Sequence, residues 1–516
     1  MLPFAELDAV SQSLRHVFAL AIPEAFLLVA ACLIYLGGTV RASRSLWASA
    51  ALTSLLLAFW LFWKQEPPAD FAVSVSALTP DRLSGLVHIL AYAGGVLLLF
   101  LFWNDVPDER SADFFACLLI LVAGLSLVGG ANDLLTMFLA LELISIPTYV
   151  LLYLPRSGER PQEAAIKYFL LSIFSSAVLL FGFSYVYGVT GSVHLSAISQ
   201  RLSAMGSGSE LLRMATVMIV AGLAFRITAV PFHFYAPDVF QGVSNSLAAM
   251  LSVAPKLAGF AALVRLGPSL FWAATDVGGL SQTTLLFWVL AALTMTVGNV
   301  LGLLQTDLRR LLAYSSIAHG GYMLVGLAAA TQLRGDGLRG VDAVFFYLVA
   351  YAAMTLGAFA VLNALRAGHC DVQTIDDLAG VGRNQPLLAL ALMLFLFSLI
   401  GLPLTAGFAG KLLLFLSALS AEEQLAEGSQ GVFALLALIG ALNAAAGAYY
   451  YLRLVGIMYL RESVKPQASA SGWPVRLTVA ICVVLTLALG IYPTRVVSAI
   501  HRAVVPESAL VAWRAP

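Results

Sequence analysis

Long blocks of apolar residues alternate with short polar breaks along the whole chain. Asking for about 20 apolar residues per crossing predicts helices near 17–39, 45–63, 83–103, 112–130, 133–154, 164–189, 211–240, 243–266, 281–304, 307–330, 341–365, 386–419, 431–460 and 474–493. That is an all-α, multi-pass membrane fold of fourteen spans. The connections are short, and none could fold as a sizeable soluble domain. Two of the blocks are interrupted. "LAFRITAVPFHFYAPDVFQG" (223–242) carries Arg226, His233, Asp238 and two prolines, and "FSLIGLPLTAGFAGKLLLF" (397–415) crowds Gly401, Pro403, Gly407 and Gly410 ahead of Lys411. A proline inside a span removes a backbone hydrogen bond, which is tolerable in a membrane only where protein or a water-filled cavity satisfies the freed groups. Both helices are therefore expected to break. Paired breaks in the two halves of a chain are the sign of a repeat-built transporter with its pathway near the midplane. Five-helix units would match helices 4–8 with 9–13 in inverted orientation. The corresponding segments are 1–110 (helices 1–3), 111–267 (first repeat), 280–462 (second repeat) and 463–516 (helix 14 and tail).

Composition agrees with the pattern. The chain has 516 residues, 60% hydrophobic and 11% charged, with a mean hydropathy of +0.91, too little polar surface for a soluble globule of this size. Its 28 basic and 28 acidic residues cancel, so charge gives no footprint for nucleic acid. Cys32, Cys117, Cys370 and Cys482 lack metal-binding spacing and read as packing residues. Glu6 and Asp8 stand where a signal peptide would carry basic residues, so the first segment reads as a retained helix. Loop lysines and arginines divide almost evenly between the two sides, with a thin excess that puts both termini outside the cytoplasm.

Inside this apolar frame a few ionisable residues stand near the breaks: Glu142, Lys167, Arg226, His233, Lys256 and Lys411. Each is costly at membrane depth unless paired or hydrated. An acid and lysines on successive helices point to a relay, because a buried lysine can hold and release a proton. Simpler roles stand beside that one. Glu142 could only neutralise a basic partner, Arg226 be a fixed charge, and His233 cap carbonyls freed by the break. Lys167, near a helix start, could snorkel to the interface. Asp307, Arg309 and Arg310 read as a solvated loop cluster. Lys256 and Lys411 lie too far inside their helices to snorkel.

The stretches "IKYFLLSIFSSAVLLFGFSYVYGVTGS", "VPFHFYAPDVFQG", "LSVAPKLA", "LLQTDLRRLLAYSSIAHGGYMLVG" and "GLPLTAGFAGKLLLF" resemble the antiporter-like membrane subunits of the proton-pumping NADH:quinone oxidoreductase, respiratory complex I, subunit N (subunit 2) most closely. The resemblance runs from about residue 110 to 460. It implies a proton path through Glu142, Lys256 and Lys411, with Lys167, His233 and His319 as further path residues. It also implies no cofactor in this chain, with NAD, FMN, iron–sulfur clusters and quinone held by partner subunits. The implied neighbours are small membrane subunits on one side and the antiporter-like subunit M on the other, in a bacterial inner membrane. The sequence departs from the family at Arg226, where a lysine is usual, and at "SNSL" (244–247). A guanidinium stays protonated above pH ~12 and cannot be an exchanging carrier. Arg226 is therefore expected to hold the Glu142 carboxylate with its planar fork, leaving the lysines as carriers. A multi-subunit cation/proton antiporter or an energy-converting hydrogenase would share the broken helices and lysines, and a non-pumping scaffold is the remaining class.

Overall fold

The computed structural model describes residues 14–66, 76–155, 158–205, 210–272, 280–332, 340–367, 370–425, 430–462, 467–469 and 472–504. Residues 1–13, with Glu6 and Asp8, lie outside the described residues; the expected first helix, 17–39, is present as the bent pair Leu14–Leu20 and Ile22–Gly38. Eleven described helices are long and apolar enough to cross a membrane, or twelve if the bent pair Leu14–Leu20 and Ile22–Gly38 is one span. Fourteen is reached only by counting each interrupted helix as one crossing. The chain is an integral, multi-pass membrane protein.

Polar residues fix where spans begin. Asp81, Asp133, Ser244, Ser281 and Asp307 each accept a bond from the backbone N–H three residues on, at the starts of Arg82–Phe102, Leu134–Tyr153, Asn245–Leu266, Gln282–Leu303 and Leu308–Ala330. Such caps satisfy N–H groups that a helix leaves orphaned and typically contribute ~1 kcal/mol. Three helices form the centre: 94%, 94% and 89% of the apolar windows of the spans Asn245–Phe271, Leu308–Ala330 and Gly340–Ala364 are buried, against 28% for Arg44–Lys64 and for Val432–Leu460. Polar groups on the central three are thus shielded from lipid.

Both expected breaks are present. The first interrupted helix runs Glu210–Arg226 and resumes at Ala236–Gly242; the second runs Pro386–Ile400 and resumes at Ala406–Glu422. Near each break a non-glycine residue takes a left-handed φ, 58° at Thr228 and 68° at Leu404. At the second, Gly401 has φ +94°, a conformation for which a Cβ is costly, and that Cβ would also lie 3.4 Å from Lys411 Cδ.

Other elements lie outside the twenty-residue pattern. Leu195–Met205 and Pro493–Val504 are short amphipathic helices, and His501 Nδ1 on the latter lies 2.6 Å from Oδ2 of the buried Asp342. A small antiparallel sheet pairs Leu365–Ala367 with Cys370–Asp371 and with Gln467–Ser469. Cys370 thus sits on a strand. Cys482 is a buried packing residue as expected, whereas Cys32 is exposed and Cys117 only half-buried. The cluster Asp307, Arg309, Arg310 is not a solvated loop. Arg310 Nη1 lies 2.6 Å from Asp238 Oδ1, Asp307 caps its helix, and Arg309, buried, bonds the Val243 carbonyl. These bonds tie the helix starting at 308 to the resumed piece Ala236–Gly242 and to the turn that follows it.

Candidate proton-transfer site

The carbonyls and N–H groups freed at the first break find partners within the protein. The Tyr235 hydroxyl donates to the Phe225 carbonyl at 3.0 Å, and the Val230 N–H donates to Thr294 Oγ1 at 3.0 Å. Capping of the severed turn thus falls to Tyr235 rather than to His233. His233 is half-buried within the break beside the Pro231 carbonyl, and its Nδ1 is buried without a hydrogen-bond partner among the described residues.

Arg226 ends the first half-helix and is 4% exposed. Its Nη2 lies 3.3 Å from Glu142 Oε1, while its Nη1 donates to Ser145 Oγ at 2.7 Å. The expected two-pronged grip on the carboxylate is therefore not what forms. Ser145 stands one turn beyond Glu142 on the same helical face and takes one prong of the fork. Glu142 Oε1 also accepts the Ser176 hydroxyl at 2.5 Å.

Lys256 is 1% exposed, and its ammonium donates to both the carbonyl and the hydroxyl of Ser316. Tyr351 donates its hydroxyl to that same Ser316 Oγ at 2.8 Å, and its ring lies under the Lys256 nitrogen at 5.0 Å. Gly320 makes this close packing possible. A Cβ there would stand 3.0 Å from the Ile227 carbonyl and 3.7 Å from Lys256 Cε.

His319, one turn further along, has its Nδ1 2.6 Å from the Tyr347 hydroxyl and its Nε2 3.1 Å from the Tyr451 hydroxyl. Hydroxyls both donate and accept, so either imidazole tautomer is accommodated. The His319 ring centroid lies 5.4 Å from that of Tyr351 and 5.7 Å from that of Tyr322. Past Tyr322 comes Lys411, 6% exposed, whose Nζ is 4.8 Å above that ring. The same nitrogen donates to the carbonyls of Leu399 and Ile400, 2.9 Å each. Those carbonyls are the ones the second break leaves without helical partners, at the negative end of a half-helix. The break thus makes the lysine's site.

Arg226, Lys256, His319 and Lys411 are held in the buried interior, with Glu142, its side chain 20% exposed, beside Arg226, and Lys256, His319 and Lys411 are linked through tyrosines. Lys167 is not among them. Its side chain is 42% exposed and paired with Glu163 at 2.7 Å and Asp238 at 3.2 Å, the surface position that a snorkelling lysine takes. Tyr322, Tyr347, Tyr351, Tyr451, Ser315 and Ser316 complete the row and are missing from the residues singled out in the sequence. Their only signal was hydroxyl-bearing residues within apolar spans, which packing alone also produces.

Interrupted helices around buried lysines define a class of antiporter-like membrane proteins. Residues 131–443 match the family described as NADH:quinone oxidoreductase/Mrp antiporter, TM, and the chain belongs to it. Within it, the chain is similar to NADH-quinone oxidoreductase subunit N. It is 37% identical to subunit N 1 of Solibacter usitatus over 422 residues, 81% of this chain and 82% of that one. It is 35% identical to the subunit N of Chlorobium chlorochromatii over 500 residues, 95% and 94% of the two chains. Among solved structures, a chain of "Respiratory complex I from Thermus thermophilus with bound Aureothin" superposes with a TM-score of 0.75 at 32% identity, covering 93% of this chain and 99% of that one. A chain of the Mrp complex from Dietzia sp. DQ12-45-1b superposes at 0.76, covering 93% and 97%, but at 19% identity, and shares the fold alone.

Proposed function

We propose that this chain is a proton-translocating membrane subunit of a bacterial NADH:quinone oxidoreductase, the subunit N position of complex I, and that it carries protons between Lys256 and Lys411 by way of His319. The observation that carries the reading is the buried row itself. Two ammonium groups, each hydrogen-bonded to backbone carbonyl oxygen, flank an imidazole with hydroxyls on both nitrogens. A protein with no need to move charge has no reason to bury two lysines within its membrane-spanning helices. Lys256 reaches Tyr351 through Ser316, while Tyr351 meets His319, His319 meets Tyr322, and Tyr322 meets Lys411 by ring contact rather than by hydrogen bond. A proton crosses those three gaps through an intervening water or a turned hydroxyl. Glu142 is the input-side acid, and Arg226 a fixed counter-charge that carries no proton. His233 and Lys167, off the row, serve at most its approaches.

In this reading helices 4–8 and 9–13 are inverted repeats, each contributing one broken helix. NAD, FMN, iron–sulfur clusters and quinone belong to partner subunits, with small membrane subunits on one side and subunit M on the other. The complex sits in the cytoplasmic membrane, with both termini on the non-cytoplasmic face. Mild-detergent purification through a tag on this chain tests the assignment. Recovery of NADH-module and quinone-site subunits is expected; recovery of only cation-antiporter or hydrogenase subunits would reject it.

A further inference from the structure

A second buried acid–base pair lies in the N-terminal helices, before the stretch 131–443 that matches the family. Glu24, in the first turn of Ile22–Gly38, places Oε1 2.7 Å from Nε2 of His88 on Arg82–Phe102. Both residues are nearly sealed, at 2% and 6% exposure. The imidazole is clamped by the Phe62 ring, stacked at 4.6 Å and 11°, and its Nδ1 lies 2.7 Å from the Ser84 carbonyl. A carbonyl only accepts, so Nδ1 bears hydrogen.

That fixes the proton count. The short Nε2–Oε1 contact needs one proton between two groups that would otherwise both be acceptors, and with it the pair is neutral overall. A second proton has one place left, Glu24 Oε2, which is buried without a hydrogen-bond partner among the described residues. Glu24 and His88, with Ser84, Thr79, Asp81 and Gln65 among others, line a cavity of about 180 Å³. One water occupies ~30 Å³ in the liquid, so the cavity has room for several. Asp81, the other acid on its wall, is committed: both its oxygens are bound by Arg265, and Oδ1 also caps Ser84. Among the described residues Tyr92, one turn past His88, also lies close enough to act on Glu24, and His16 is buried on the preceding Leu14–Leu20 segment.

We propose that Glu24 and His88 form a proton-binding site separate from the lysine row, which passes between one bound proton and two by loading Glu24 Oε2 from the adjoining cavity. The ligand is a proton rather than a metal cation, because the imidazole already spends both nitrogens and leaves a single carboxylate oxygen, too few ligands for a metal ion. The site stands whether or not the lysine row translocates protons.

Infrared difference spectra of the purified complex, recorded as pH is stepped, test this with wild type, Glu24→Gln and His88→Asn. Wild type should gain a carboxylic-acid carbonyl band as pH falls. That band should be lost in Glu24→Gln and titrate at a different pH in His88→Asn, with no response to sodium at fixed pH. A pH-difference spectrum of Glu24→Gln identical to wild type would overturn the proposal, as would a band that responds to sodium. If Glu24→Gln does not assemble, His88→Asn decides: an unmoved midpoint there overturns it.

Discussion

Replacing Arg226 by Met keeps its bulk and removes its charge, which isolates what the guanidinium does. In the structure it has two partners, Glu142 Oε1 at 3.3 Å and Ser145 Oγ at 2.7 Å. Removing one partner of a buried ion pair typically costs about 3–5 kcal/mol, chiefly because the other charge is left uncompensated. Glu142 keeps the Ser176 hydroxyl and its side chain is 20% exposed, which argues for the lower end, ~3 kcal/mol. Arg226→Met should therefore lower the thermal stability of the complex or its NADH-driven proton pumping, whereas Arg226→Lys, which restores a positive charge, should keep most of both. Glu142→Gln combined with Arg226→Met should hurt less than the sum of the two alone. A coupling of about 0.5–3 kcal/mol is the range for residues in direct contact. The assay is pumping and melting temperature for the four members of the cycle, after assembly has been checked on native gels. Additive effects, or full pumping in assembled Arg226→Met, would refute the pairing as a functional unit.

Two further predictions probe the row. Tyr451→Phe removes the hydroxyl that joins His319 Nε2 to Ser315; pumping should fall while assembly holds, and unchanged pumping would take Tyr451 out of the path. Gly320→Ala forces a Cβ to 3.0 Å from the Ile227 carbonyl. It should destabilise by about 1–3 kcal/mol, as overpacking does, visible as a lower melting temperature of the complex, and a wild-type melting curve would show that this contact yields freely.

Much of this was legible from residue pattern, because the membrane makes polar groups expensive and therefore conspicuous. Pro231 marked the first break and Pro403, with its glycines, the second, but that Lys411 would bind the carbonyls freed at the second was not legible. The boundaries were less legible. Pro231 is the visible breaker, yet the helix ends at Arg226, because the turn is made by Thr228 and closed by Tyr235 and Thr294, the latter from a different helix. The two-pronged Arg226 grip failed for a related reason: nothing in the sequence says that Ser145 competes for the fork. Tyr347, Tyr351 and Tyr451 stayed hidden because a tyrosine in an apolar helix reads as packing until its hydroxyl is placed. The Glu24–His88 contact joins residues 64 positions apart, beyond any local pattern. Leu195–Met205 and Pro493–Val504 escaped because a search for twenty apolar residues passes over short amphipathic helices.

The central claim is that Lys411 carries a proton rather than only capping a severed helix, and Lys411→Arg separates the two. An arginine keeps a positive charge and donors for the Leu399 and Ile400 carbonyls, but it does not release a proton at working pH. The measurement is the proton-to-electron ratio of the assembled variant complex in sealed vesicles during NADH oxidation. The account predicts normal assembly with a lowered ratio or strongly slowed coupled turnover; a wild-type ratio at wild-type turnover would mean that Lys411 is a structural cap and that protons take another route.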